Sequence, residues 1–252
     1  MHIDLTGQII LVTGASRGIG AEIARQLGGA GATVAVHYSS SSGEAVALCK
    51  EIGHKADAFR ADLSDADEAD RLFRDVLGAY GRVDCVVNNA GIAVHSPLEG
   101  DLDDWVRDWD RTLDVNTRAA GVITRAALSH FVPNGGGRLI YVSSRAAFRG
   151  DSEDYLAYAA SKGAMVSLCR SVARAFGKQH VKAFNVAPGF VRTAMAQDAI
   201  DAYGEDFVLG GIALDRLTEP KDVAPMIVLL ASGLSDHATG CTIDINAASY
   251  VH

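Results

Sequence analysis

Tyr158 and Lys162 stand four residues apart in the run Tyr158-Ala159-Ala160-Ser161-Lys162. On a helix that spacing puts both side chains on one face, aimed at the same space. A free phenol titrates at about 10, too high for efficient proton transfer near neutrality. A nearby ammonium favours the phenolate, so Lys162 is expected to lower the value of Tyr158. The pair alone is a weak signal, because a half-buried helix tyrosine beside a solvated lysine spells the same way.

A second group with chemical potential is Thr13-Gly14-Ala15-Ser16-Arg17-Gly18-Ile19-Gly20. It follows an apolar run and opens a helical one, where free N–H groups and the helix dipole favour an anion such as a pyrophosphate. The spacing is Gly-x-x-x-Gly-x-Gly and departs from the widespread Gly-x-Gly-x-x-Gly fingerprint. An acid at the end of the second strand would bond the ribose hydroxyl of NAD, whereas a basic residue nearby accommodates the extra phosphate of NADP. Here the strand ends His37-Tyr38-Ser39-Ser40-Ser41-Ser42, and no acid comes before Glu44. With Arg17 and the serine hydroxyls available, NADP(H) is expected over NAD.

Positioning such groups takes a scaffold, and the chain spells one. Short β-branched runs at 9–12, 33–36, 83–87, 139–142, 181–186 and 242–245, with a weaker one at 56–60, predict strands. Helical periods near 19–29, 43–52, 65–80, 103–131, 155–176 and 222–231 lie between them. Strands apolar on both faces and separated by helices predict an α/β fold, a single doubly wound parallel sheet. Residues 194–217 break the rhythm and are expected to form a substrate lid on one domain spanning 1–252.

The chain has 252 residues, 48% hydrophobic and 21% charged, as folded soluble proteins do. Its formal charge of −8 and scattered basic residues argue against nucleic acid and anionic membranes as partners. The start carries no secretory pattern and no apolar run reaches a membrane span, so a cytoplasmic location is expected. Cys49, Cys85, Cys169 and Cys241 form no Cys-x-x-Cys pair, the histidines form no i, i+4 pair, and no metal is expected.

Several further motifs arrive in a fixed order. Ala61-Asp62-Leu63, Asn88-Asn89-Ala90-Gly91, Asp114-Val115-Asn116, Ser143-Ser144 and Pro188-Gly189-Phe190-Val191-Arg192-Thr193 join the glycine turn and the Tyr158/Lys162 pair. In this order the chain resembles the short-chain dehydrogenase/reductase family over essentially its whole length, with the Rossmann-type fold that implies. The resemblance implies a catalytic set of Asn116, Ser144, Tyr158 and Lys162. Tyr158 would be the proton donor and acceptor, Ser144 would orient the reacting oxygen, and Lys162 would also hold the nicotinamide ribose. Asn116 would hold a relay water.

The cofactor set implied is Gly14, Ser16, Arg17, Gly18, Ile19, Gly20, Tyr38, Ser39, Asp62, Leu63, Asn89, Ala90, Gly91, Tyr158, Lys162, Pro188, Gly189, Val191 and Thr193. The substrate would be a small carbonyl compound or alcohol, and a carbonyl or 3-oxoacyl-thioester reductase is the leading expectation. An NAD-linked sugar, polyol or steroid dehydrogenase and a non-catalytic dinucleotide sensor are the alternatives. A homo-oligomer, often a tetramer, is implied as well. His95, Phe148 and Tyr155 are candidates for contact with substrate. Two departures stand out. Ser144 precedes Tyr158 by 158 − 144 = 14 positions, about one more than the family pattern, with Ser143 as the other serine. After the last strand comes Asn246-Ala247-Ala248, where many members have glycines.

Overall fold

The computed structural model describes residues 3–194, 196 and 204–251. Seven strands, β1 (Ile9–Val12), β2 (Thr33–Tyr38), β3 (Asp57–Arg60), β4 (Cys85–Asn88), β5 (Gly137–Val142), β6 (Val181–Pro188) and β7 (Thr242–Ile245), form one sheet in the order β3-β2-β1-β4-β5-β6-β7. All six pairings are parallel. Chain direction across the sheet reverses between β1 and β4, so the crevice for a ligand opens at their carboxyl ends. The register keeps those ends level, with Val12 opposite both Val36 and Val87, and Val87 opposite Ile140.

The strands bury both faces, as the continuous apolar runs require. Ile10, Val12, Val87, Ile140 and Phe184 face one layer, built on α1 (Gly18–Gly29) and α2 (Ser42–Ile52). Leu11, Val86, Leu139 and Tyr141 face the other, built on α3 (Ala66–Tyr80). Asp65 caps α3 by accepting from the N–H groups of Asp67 and Glu68, which fixes where that helix leaves β3. No helix among the described residues is long and apolar enough to cross a membrane.

The helix expected over 103–131 is divided. α4 (Leu102–Leu113) and α5 (Ala119–Phe131) are joined by a π-helical turn, Asp114–Arg118, centred on the fully buried Asn116. A π turn inserts a residue into the helical phase and so re-aims one side chain, and composition alone gives no sign of it. Between β5 and α7 (Leu156–Phe176) lies the short helix α6 (Ala146–Arg149), then Gly150 at φ +81 and a 3₁₀ turn at Glu153–Tyr155. This excursion takes up the 14-residue interval between Ser144 and Tyr158. Of the segment 194–217 named above as a lid, residues 195 and 197–203 lie outside the described residues. The rest includes α8 (Glu205–Gly210), where Val208 packs with Leu217, Phe190, Leu209 and Ile212. The last helix, α9 (Pro220–Ala231), lies against α1 and carries a reciprocal cap between Glu219 and Asp222.

Candidate active site

The glycine turn is fastened on three sides. The Gly14 N–H donates to His37 Nδ1 at 2.9 Å, and the His37 carbonyl accepts from Ala15 N at 2.8 Å. Asn89 Nδ2 donates to the carbonyls of Thr13 and Gly14 at 2.9 and 3.1 Å, while Thr13 Oγ1 accepts from the N–H groups of Asn89 and Ala90, both at 3.0 Å. Gly14 holds a φ of +62. At Gly20 a Cβ would lie 2.2 Å from the Gly14 carbonyl oxygen and 2.5 Å from Asn89 Nδ2, so only a hydrogen fits there. The result is a bare backbone cradle at the start of α1, matched to a phosphate-bearing ligand.

The cradle opens into a cleft of about 2470 Å³ that runs along the carboxyl ends of the strands. Every residue of the expected cofactor set, from Gly14 to Thr193, lines it, as do Ser144, Tyr158 and Lys162. His95 and Tyr155 also line it and meet edge to face at 5.8 Å, whereas Phe148 stacks instead on Tyr250 outside the lining. Asn116 stands behind the wall. Its Oδ1 accepts from Ile92 N at 2.8 Å, and its Nδ2 donates to Ile92 O and to Ser161 Oγ, both at 2.9 Å. The side chain is thus fully engaged in tying the π turn to the loop after β4 and to α7. A smaller cavity of about 450 Å³ near the carboxy-terminal turn is lined by Arg216 and Asp222, which bond one another through two contacts.

At the reacting end the two serines separate. Ser143 Oγ donates to Val186 O at 3.3 Å and belongs to the sheet edge. Ser144 Oγ accepts from Ala146 N at 3.1 Å, and its hydroxyl acts on the Tyr158 phenol in favour of the phenolate. Lys162 is almost wholly buried, with Nζ 5.8 Å from the Tyr158 ring centre and donating to Val142 O at 3.0 Å. Hydroxyl, phenol and ammonium therefore converge on one stretch of the cleft.

This arrangement meets its relatives in the comparison with known proteins. A family model described as enoyl-(acyl carrier protein) reductase matches residues 14–247. A short-chain dehydrogenase/reductase of Pestalotiopsis microspora is 35% identical, covering 97% of this chain and 96% of that protein. The chain belongs to the short-chain dehydrogenase/reductase family. As a member it is an oxidoreductase acting on CH–OH groups. A 3-oxoacyl-[acyl-carrier-protein] reductase of Synechocystis is 34% identical over 96% of both chains. A solved short-chain dehydrogenase of Burkholderia cenocepacia in complex with NADP superposes with a TM-score of 0.89 at 33% identity, covering 97% of this chain and 98% of that one.

In this family member burial governs the charges. The Tyr158 phenol is pushed above the usual 10 by loss of solvent, with Asp151 adding to the rise and Ser144 and Arg145 opposing it. The lowering expected from Lys162 is absent: the neighbours that lower Tyr158 are Ser144 and Arg145, and desolvation of the phenol outweighs both. Lys162 itself is pushed down to about 8 by burial. Asp62, at the far end of the cleft, is held below the usual carboxylate range chiefly by the backbone N–H and hydroxyl of Ser64.

Three residues that hold or line the site were given no role of their own by the sequence. Thr13 is the latch between the β1 and β4 turns, and its signal was its place next to Gly14. His37 is buried, bridges Gly14 N and Ala61 O, and is pushed down to about 4 by burial. A polar residue inside the apolar run Thr33–Tyr38 was its signal. Arg145 follows Ser144 directly and lines the cleft with its guanidinium 5.1 Å from the centre of the Phe190 ring.

Proposed function

We propose that the chain works as one domain that reduces a ketone, or oxidises the matching secondary alcohol, with NADP(H), and that its leading substrates are small carbonyl compounds or 3-oxoacyl thioesters. The observation that carries this reading is the convergence of Ser144, Tyr158 and Lys162 on one stretch of the cleft that begins at the glycine cradle. A bound nicotinamide dinucleotide supplies the hydride donor or acceptor. Ser144 bonds and orients the reacting oxygen, and Tyr158 gives or takes its proton at the phenolic oxygen. Lys162 holds the nicotinamide ribose hydroxyls. Asn116 serves through position, by keeping α7 against the loop after β4.

Preference for NADP(H) is supported by the end of β2, where Tyr38, Ser39, Ser40 and Ser41 line the cleft without a carboxylate and the exposed Arg17 makes no ion pair among the described residues. Of the segment 194–217, Ala194, Ala196, Val208, Gly210 and Gly211 line the cleft, and we assign that segment the part of a lid over the substrate. The protein works in the cytoplasm as a homotetramer, which sedimentation at micromolar protein tests directly.

The deciding experiment follows NADPH absorbance with a panel of ketones and 3-oxoacyl thioesters, for the native protein and Tyr158→Phe. Loss of the proton donor is expected to lower kcat by about a hundredfold to ten-thousandfold while NADPH binding persists. Full activity in Tyr158→Phe would remove the phenol from the mechanism. Because burial keeps the phenol protonated at neutral pH, reduction is favoured there, and the rate of alcohol oxidation should climb as pH rises toward the phenol's raised value.

A further inference from the structure

We propose that Arg145 binds a carboxylate on the substrate, so that the carbonyl compound taken by this site is an oxo acid and its product a hydroxy acid. The inference rests on the carbonyl chemistry proposed for Tyr158 and names the class of molecule presented to it.

Arg145 is rigidly placed. Its N–H donates to Pro188 O at 2.9 Å, and its carbonyl accepts from Phe148 N and Arg149 N, both at 3.0 Å, so the residue is pinned between the ends of β5 and β6. The guanidinium lies over the Phe190 ring at 5.1 Å and lines the cleft beside Ser144. A ring contact occupies one flat face of the group and leaves the N–H fork at its edge available. Among the described residues no hydrogen bond or ion pair takes up that fork, although arginines elsewhere, such as Arg138 and Arg216, are paired with carboxylates.

The titratable groups that act on Arg145 are Arg149, Asp151 and the Tyr158 phenol, of which Arg149 and Asp151 carry charge at neutral pH. Asp151 makes no ion pair with it and accepts instead from its neighbour Ser152 N at 2.9 Å. Arg145 is therefore a half-buried cation, partly stripped of water next to the reacting serine, with Asp151 acting on it only at a distance and no ion pair among the described residues to compensate it. Such a guanidinium matches a planar carboxylate through two parallel hydrogen bonds. A phosphate of the dinucleotide is the other oxyanion in the vicinity. The glycine cradle that suits it follows β1, two strands away from the end of β5 that carries Arg145, which favours the substrate as the source.

The test uses short aliphatic oxo acids with the carbonyl at increasing distance from the carboxylate, each beside its methyl ester, with NADPH and the native protein, Arg145→Leu or Arg145→Lys. The quantity read is the ratio of kcat/KM for acid over ester, in which any common effect on Tyr158 cancels. For at least one chain length the native protein should prefer the acid, and Arg145→Leu should cut that ratio by about tenfold to a hundredfold, mostly through KM, with Arg145→Lys recovering part. An ester used as well as its acid, or a ratio unchanged in Arg145→Leu, overturns the proposal. Weaker NADPH binding in Arg145→Leu with an unchanged ratio also overturns it and gives the arginine to the dinucleotide. Calorimetric titration of the same acids into the NADP complex separates this inference from the reading it rests on. Binding that Arg145→Leu abolishes sustains the carboxylate site even without turnover, which would then count against the reduction alone. No binding of any acid to the native complex removes the site.

Discussion

Two turns sit at the same edge of the sheet and solve the same backbone problem with different residues. After β1 the left-handed positions are Gly14 and Gly18, at φ +62 and +58. After β7 they are Ala247 and Ala248, at φ +50 and +56. Glycine enters that region without steric cost, whereas an alanine there brings its Cβ against the following carbonyl. The first turn is left bare and is held from outside by His37, Asn89 and Thr13. The second stays in place through Ala213 N donating to Ala247 O at 2.8 Å, Ser249 donating to Asn246 O, and Asn246 Nδ2 reaching Tyr250 O at 3.1 Å. The comparison separates a turn built to admit a ligand from one that carries strain because tertiary contacts demand it.

The largest expected effect comes from the brace of the first turn. His37 accepts from Gly14 through an unprotonated Nδ1, and burial lowers it from 6.5 to about 4. With a folded value below the unfolded one, the unfolded chain binds the extra proton first. Stability from this group is therefore complete above pH 6.5 and is lost as pH falls toward 4, by about 3 kcal/mol in all. Urea unfolding of the native protein and His37→Gln at neutral and mildly acid pH measures this, and the native protein should show the steeper fall. Equal slopes would mean that His37 does not brace the turn in its neutral form.

Next in size is Gly20→Ala. The new Cβ would meet the Gly14 carbonyl and Asn89 Nδ2, so the cradle must open by a shift worth about 1–3 kcal/mol. If the first turn exists to admit phosphate, most of that should appear as weaker NADPH binding, about tenfold to a hundredfold, rather than as a lower melting temperature. A loss confined to stability would make the two turns alike in kind.

How far each region can be read from the sequence follows the same division. Gly14, Gly18 and Gly20 announce their turn because glycine is the residue such a backbone asks for, and the strands beside it are announced by Ile9–Val12 and Thr33–Tyr38, apolar on both faces. Tyr158 and Lys162 are legible because helical spacing is local. The partners of these groups are not local. His37 bonds Gly14 across 23 positions and Asn116 bonds Ser161 across 45; a polar residue in an apolar run marks His37 as unusual, but nothing near either residue names its partner. The π turn at Asp114–Arg118 and the helix Ala146–Arg149 depend on what packs against them. The rise in the Tyr158 phenol likewise belongs to the depth of the fold, which a Tyr-x-x-x-Lys spelling does not contain.

The smallest effect probes the second turn. A left-handed alanine costs roughly 1–2 kcal/mol, and glycine at the same place returns about 0.5–1 kcal/mol of that as extra freedom in the unfolded chain. Ala247→Gly should therefore stabilise the protein by about 0.5–1 kcal/mol, a rise in melting temperature of about 1–4 °C for a chain of this size. The gain requires that Ala213 N still finds the carbonyl of residue 247, which the substitution leaves in place. A melting temperature that falls would show that the Ala247 methyl group makes packing contacts worth more than the strain it causes. The turn after β7 would then be selected for its side chains rather than tolerated for its backbone.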